Sequence, residues 1–291
     1  MKTIDPIVIN SQATLGESPI WSVQEGILYW LDCLLPGIYC FNPLTGENKL
    51  IQLDQIVTSL ALYSQDRLLV TVENGYAFAN LTTGKLEGFA NPYPKLDVIF
   101  NDGKCDRKGR FWSGTAAKDW ISPLGMLFRL VDDLSFKPMD KNFILSNGIG
   151  FSPDDSYMYF IDSLAYKSYR YRFDLEKGTI TNRTDFINFP REEGIPDGMT
   201  VDAEGFLWIA LWDGWCVNRY SPQGEKVGSI KLPVPRPTSL AFGNKDLRTL
   251  YITSARMGLS DEQLLQSPLS GNLFAVQTAF QGLAEPAFIT Q

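Results

Sequence analysis

Three features of the sequence predict an all-β chain folded as a six-bladed β-propeller: a recurring strand phrase, a polar residue at a constant distance before it, and no sustained helical period. The strand cores read ILYW (27–30), RLLV (67–70), RFWS (110–113), YMYF (157–160), FLWI (206–209) and TLYI (249–252). Anchored on Leu28, Leu68, Phe111, Met158, Leu207 and Leu250, the successive steps are 40, 43, 47, 49 and 43 residues. A four-stranded blade takes about 44 residues. Six of them nearly exhaust the 291 residues, so one ring over residues 1–291 is the predicted domain.

In chain order, IVINS (7–11) precedes the first repeat and NLFAV (272–276) follows the last. These two segments are expected to share a blade and latch the ring shut. Between them, turn signals such as PLTGE (43–47), LTTGK (81–85), EKGT (176–179) and PQGE (222–225) separate runs rich in Val, Ile, Tyr, Phe and Trp. Acidic or glycine turns, DRKG and DAEG among them, introduce several strand cores. One short helix is predicted at SDEQLLQ (260–266), capped by Ser260 on a surface connection of the last blade. Trp30, Trp112 and Trp208 occupy repeat-related strand positions and are expected to pack between blades. Trp120, Trp212 and Trp215 fall in less regular stretches whose loops could roof a pocket.

Ten or eleven residues before the anchors stand Glu17, Thr58, Asn101, Asn147, Asp197 and Ser239. The first strand of a propeller blade lines the central channel, so equivalent strand starts converge at one channel mouth. Two carboxylates, two amides and two hydroxyls would face one another there. Glu17, Asn147 and Asp197 form a hard-oxygen set suited to Ca²⁺, Mg²⁺ or Mn²⁺. Three protein ligands leave positions open for water and a substrate carbonyl, as a Lewis-acid hydrolase requires. On the bland reading the carboxylates cap turns, and Asn101-Asp102-Gly103 is a structural turn with Asp102 and Lys104 of undecided direction.

Composition narrows the function classes. With 26 Lys and Arg against 33 Asp and Glu, the net charge is −7, and no basic run exceeds a dipeptide. Nucleic acid and anionic membrane are therefore not expected as partners. No apolar run approaches the roughly 18 residues of a membrane span, and the start MKTIDPIVINSQ lacks a signal-peptide core, so a cytoplasmic location is expected. The four cysteines, Cys33, Cys40, Cys105 and Cys216, show no CxxC pairing and are expected to be plain buried thiols. There is no histidine. A Ser-His-Asp triad in its usual form and HExxH zinc chemistry are excluded, which leaves carboxylate, lysine or oxygen-bound metal chemistry.

LGESPIW (15–21), FNDGKCDRKGRFWSGT (100–115), SNGIGFSPDDSYMYFIDS (146–163), IPDGMTVDAEGFLWIALWDGW (195–215) and RPTSLAFG (236–243), in that order, resemble the SMP-30/gluconolactonase/regucalcin-like family. The resemblance implies a six-bladed propeller with one divalent cation on the channel axis, most often hydrolysing sugar lactones. It implies Glu17, Asn147 and Asp197 as metal ligands, Asp197 also as general base, and Asn101 as a contact to substrate or attacking water. Ca²⁺, Mg²⁺, Mn²⁺, Zn²⁺ and Fe²⁺ are the candidate ions. One departure stands out: the family's sugar-binding arginine falls on Ile99, which offers packing and no donor, so the lactone recognised is expected to differ. A smaller departure is Ser18, where glycine is commoner. The alternative to a lactonase is a calcium-binding regulatory or small-ligand-binding propeller without turnover. The open three-ligand set favours the enzyme over a storage site, which would want six to eight protein oxygens. The oligomeric state is not legible.

Overall fold

The computed structural model describes residues 6–73, 75–91 and 97–290, so the outer limits of the predicted domain, residues 1 and 291, lie outside the described residues. Six four-stranded antiparallel sheets form a ring, a six-bladed β-propeller. The inner strands are Gly16–Ser22, Ser59–Ser64, Val98–Cys105, Ser146–Phe151, Ile195–Val201 and Pro237–Gly243, one for each of blades one to six. The expected latch is present. Ile7–Ile9 is the outermost strand of blade six and pairs antiparallel with Leu273–Gln277, with Ile7 opposite Ala275 and Ile9 opposite Leu273. Chain segments separated by almost the whole sequence thus share one ladder, which closes the ring, and the edges that remain are short and protected.

The core lies between blades. Trp30, Trp112 and Trp208 are fully buried, as expected. Trp112 packs on Ile149, Phe151, Met158 and Phe160 of blade four. Trp208 packs on Leu240, Phe242 and Leu250 of blade six, and Trp30 on Ala241 and Tyr251 of the same blade. Burying a large apolar side chain contributes about 1.5–3 kcal/mol, so these contacts weld neighbouring sheets. The acidic turns before the strand cores have a matching role. Asp106 accepts from the backbone N–H groups of Lys108 and Arg110 and from Trp112 Nε1 at 2.8 Å. Asp202 does the same for Glu204, Phe206 and Trp208 Nε1, the last at 2.9 Å. One carboxylate thereby shapes the turn and satisfies the buried indole.

The single α-helix among the described residues is Asp261–Gln266, with Ser260 as N-cap and Gln263 completing a capping box, on the connection before the last strand of blade six. No helix among the described residues is long and apolar enough to cross a membrane.

Candidate metal and substrate site

Five of the six inner strands break register near their starts, and the polar residues singled out by the repeat sit at those breaks. The shifts fall between Glu17 and Ile20, Phe100 and Gly103, Asn147 and Ile149, Pro196 and Met199, and Pro237 and Leu240. Such bulges re-aim side chains that a regular pleat would alternate in and out of the sheet. Glycine makes the close approach possible. A Cβ on Gly148 would come within 2.7 Å of the Asp197 carbonyl oxygen, and one on Gly198 within 2.3 Å of Ser239 Oγ. Glu17, Asn101, Asn147, Asp197 and Ser239 therefore gather at one mouth. Thr58 does not join them in the same way: blade two keeps Ser59 opposite Thr71 there, and the Thr58 hydroxyl is engaged with Thr71 Oγ1 at 2.8 Å.

The amides are fixed by hydrogen bonds. Asn147 is buried and its Nδ2 donates to Ser163 Oγ at 3.0 Å. Its Oδ1 accepts from Asn101 Nδ2 at 3.1 Å, and the same Nδ2 donates to the Ser146 carbonyl at 2.9 Å. Ser163 is held in turn because Asp162 accepts from the N–H groups of Ile144 and Leu145, and Leu145 accepts from Ser163 N. Asp32 repeats this arrangement in blade one, gripping Thr14, Leu15 and Leu34.

The carboxylates carry unfavourable charge. Burial, followed by the charges of Asp197 and Asp102, pushes the Glu17 carboxyl well above its ordinary range. Burial and then Asp102 do the same to Asp197, against a hydrogen bond from Asn147. Asp102 itself is raised to about 6 by burial, opposed by Lys104 and by the Gly103 N–H that its Oδ1 accepts at 2.8 Å. Each shift records a site that disfavours bare anions. A divalent cation offsets that cost, and two carboxylates with an amide oxygen supply the hard donors it prefers. The residues therefore fit such an ion. Among the described residues no three acidic, thiol or imidazole groups form a ready metal cage.

Sequence reasoning missed one neighbour of the site and left the direction of another open. Cys33 follows Asp32 on the loop beside the mouth and is only half-buried. Burial and then Glu17, Asp32, Asp102 and Asp197 hold its thiol well above the usual range, and its Sγ lies 3.7 Å from the Thr58 carbonyl. Nothing in its spacing marks it. Lys104, whose direction the sequence left undecided, lines the channel beside Asp102 and pairs with Glu285 at 2.9 Å.

Ile99 is partly exposed and pairs with Ala116, two residues before Asn101, while Phe100 between them is buried in the sheet interior. Val98 is opposite Ala117 and Ile195 opposite Trp212, which puts the loops carrying Trp120 and Trp215 at the mouth end. Both indoles are exposed, at 44% and 43%, whereas Trp212 is partly covered by the Arg236 guanidinium.

The SMP-30/gluconolactonase/LRE-like family model matches residues 15–256. The chain belongs to that family. It is 38% identical over 283 residues to a 6-deoxy-6-sulfogluconolactonase of Pseudomonas putida, each chain covered to 97%. It is 35% identical over 270 residues, 92% of each chain, to a putative sugar lactone lactonase of Bacillus subtilis. Among solved structures, a calcium-binding protein, regucalcin, of Agrobacterium tumefaciens superposes with a TM-score of 0.93 at 26% identity, over 98% of this chain and 97% of the other.

Proposed function

We propose that the protein is a divalent-cation-dependent lactonase. The observation that carries this reading is the convergence of Glu17, Asn147 and Asp197 from blades one, four and five at bulged positions of a buried, negatively charged mouth. Relatives named as lactonases support the reaction class, and the regucalcin neighbour supports a calcium-type ion. Glu17, Asn147 and Asp197 would hold the cation. When bound, it supplies Lewis-acid polarisation of the lactone carbonyl and lowers the cost of the facing carboxylates.

The remaining steps belong to the chain's own side chains. Asp197 takes a proton from the attacking water, a role that falls to a carboxylate because the sequence holds no histidine. Asn147 orients Asp197, and Asn101, its Nδ2 anchored on Ser146 and Asn147, presents its Oδ1 to the substrate. Asp102 is the third carboxylate beside this machinery and the reserve candidate for proton transfer. Ile99 packs against the lactone ring substituents and makes no hydrogen bond to them. The small-molecule lactone is the partner expected.

The test is a lactone panel monitored by acid release on metal-stripped protein, then with Ca²⁺, Mg²⁺, Mn²⁺, Zn²⁺ or Fe²⁺ restored. Turnover that vanishes on stripping and returns with one ion is the expected result. Cation binding without turnover on any lactone would instead establish a binding protein.

A further inference from the structure

The segment after the last strand crosses the channel end opposite the mouth. It starts at the lower turns of blades five and six, where Gln281 accepts from Ala203 N at 2.8 Å and Gly282 N donates to the Leu247 carbonyl at 2.7 Å. Gly282 lies flat on Phe242, where a Cβ would come within 2.2 Å of the Phe242 side chain. The segment ends on blades two and three, with Phe288 N donating to Leu62 O at 2.7 Å and Ile289 N to Gly109 O at 3.1 Å. Phe288 is buried beside Tyr63 and Phe78, which pins this second end.

Midway along the crossing, Glu285 turns inward. Its side chain is 7% exposed and its Oε1 accepts from Lys104 Nζ at 2.9 Å. Lys104 and Glu285 line an axial cavity together with Ser18, Asp102 and Ser239. They also line a second cavity on the far side, with Arg107 and Leu283. The ion pair thus stands between the two spaces, along the channel from the carboxylates of the mouth. A buried pair of this kind is weak evidence for stability, because desolvation offsets the attraction. Its position on the axis gives it another use.

We propose that the Lys104–Glu285 pair is a charge-balancing plug, in which the crossing segment supplies the anion that cancels Lys104 and so keeps the axial channel attractive to a cation at Glu17, Asn147 and Asp197. This rests on the cation reading above. Neutralising Glu285 alone leaves an uncompensated ammonium facing the site, whereas neutralising Lys104 alone leaves an extra carboxylate. With an effective dielectric of about 20 or more, one unit charge along the channel changes the affinity for a divalent ion on the order of tenfold. Opposite signs are therefore required of the two variants.

The experiment is calorimetric titration of Ca²⁺ into the unaltered protein, Glu285→Gln, Lys104→Met and the double variant at pH 8, with melting temperatures recorded alongside. The expected result is affinity reduced about tenfold in Glu285→Gln, raised in Lys104→Met and restored to within about twofold in the double variant. Two single variants that shift in the same direction, or neither shifting by more than about twofold, would overturn the plug while leaving the cation site intact. Should Lys104→Met fail to fold, Lys104→Arg decides against Glu285→Gln: retained affinity in the arginine variant supports charge balance, and equal loss in both refutes it. An unaltered protein that binds no Ca²⁺, Mn²⁺ or Mg²⁺ overturns the cation reading and the plug with it.

Discussion

Stripping the cation should make the protein lose stability as pH rises, the reverse of ordinary acid denaturation. The cause is the set of carboxyls at the mouth. Asp102 moves from an ordinary 3.8 to about 6 on folding, and Glu17 and Asp197 are pushed upward as well. A carboxyl with a raised folded-state pKa contributes stability that is fully present below its unfolded value and lost as pH climbs through its folded value. For Asp102 the window runs from about pH 4 to 6 and the loss is about 3 kcal/mol, at about 1.4 kcal/mol per pH unit. Glu17 and Asp197 add in the same direction. The carboxyls of Asp119, Asp133, Asp154 and Asp174 are held below 3.8 by hydrogen bonds, so their opposite contribution is complete before this window opens. In a chain of this size about 3 kcal/mol corresponds to roughly 5 °C in melting temperature. A cation that displaces the protons should cancel the decline, since 100-fold excess over Kd contributes about 2.7 kcal/mol. Scanning calorimetry from pH 4.5 to 8, in chelator and in excess Ca²⁺, reads both effects. A metal-free melting temperature that stays level or rises across that range, with no response to any divalent ion, would refute the account of the mouth as a cation site.

Three further outcomes follow from individual side chains. Asp197→Asn should keep the fold and measurable cation binding by calorimetry while lowering kcat by about 10² or more, the usual scale of a general base; a wild-type rate with the ion bound would move the base, first to Asp102. Ile99→Arg should raise kcat/KM on gluconolactone about ten- to a hundredfold, the worth of one charge-assisted hydrogen bond of about 1.5–3 kcal/mol, and lower it on less hydroxylated lactones; wild-type protein that prefers gluconolactone and is impaired by the arginine would show that another donor serves the sugar. Asp202→Ala should cost about 3–5 kcal/mol in urea unfolding because it strands the buried Arg219 guanidinium, which donates to Asp202 Oδ2 at 2.7 and 3.0 Å, and the Trp208 indole; a loss below about 1 kcal/mol would mean that Glu204 alone suffices for Arg219.

The ring was legible because its period is a packing constraint. Each blade must present large residues to its neighbour at the same height, which is why Trp30, Trp112 and Trp208 recur and why all three are fully buried. The latch was legible for a related reason: Ile7–Ile9 and Leu273–Gln277 are strands that no complete repeat uses, so each needed the other. Cys33 and Glu285 were not legible as neighbours of the site, and Lys104 was legible as a neighbour but not in its direction or its partner. Lys104 and Glu285 meet only because an irregular segment crosses the channel, and irregular backbone has no period from which a partner can be inferred.

Thr58 shows what separates a repeat position from a functional one. Its spacing matches that of Glu17 and Asp197, yet its strand keeps regular pairing from Ser59 to Leu62 and its hydroxyl turns to Thr71. A difference was present in the sequence beside it. Glu17 is followed by Ser18-Pro19, Asp102 by Gly103, Asn147 by Gly148 and Asp197 by Gly198, residues that permit a bulge or close backbone approach, whereas Thr58 is followed by Ser59-Leu60-Ala61, an ordinary strand. Symmetry brings six strand starts to the mouth, but a strand in regular pleat sends alternate side chains back into the sheet. The bulge is what lets a carboxylate or amide remain in the channel. On the proposed reading, the chemistry of this propeller falls where the repeat is broken, at positions that the repeat locates and that glycine and proline then select.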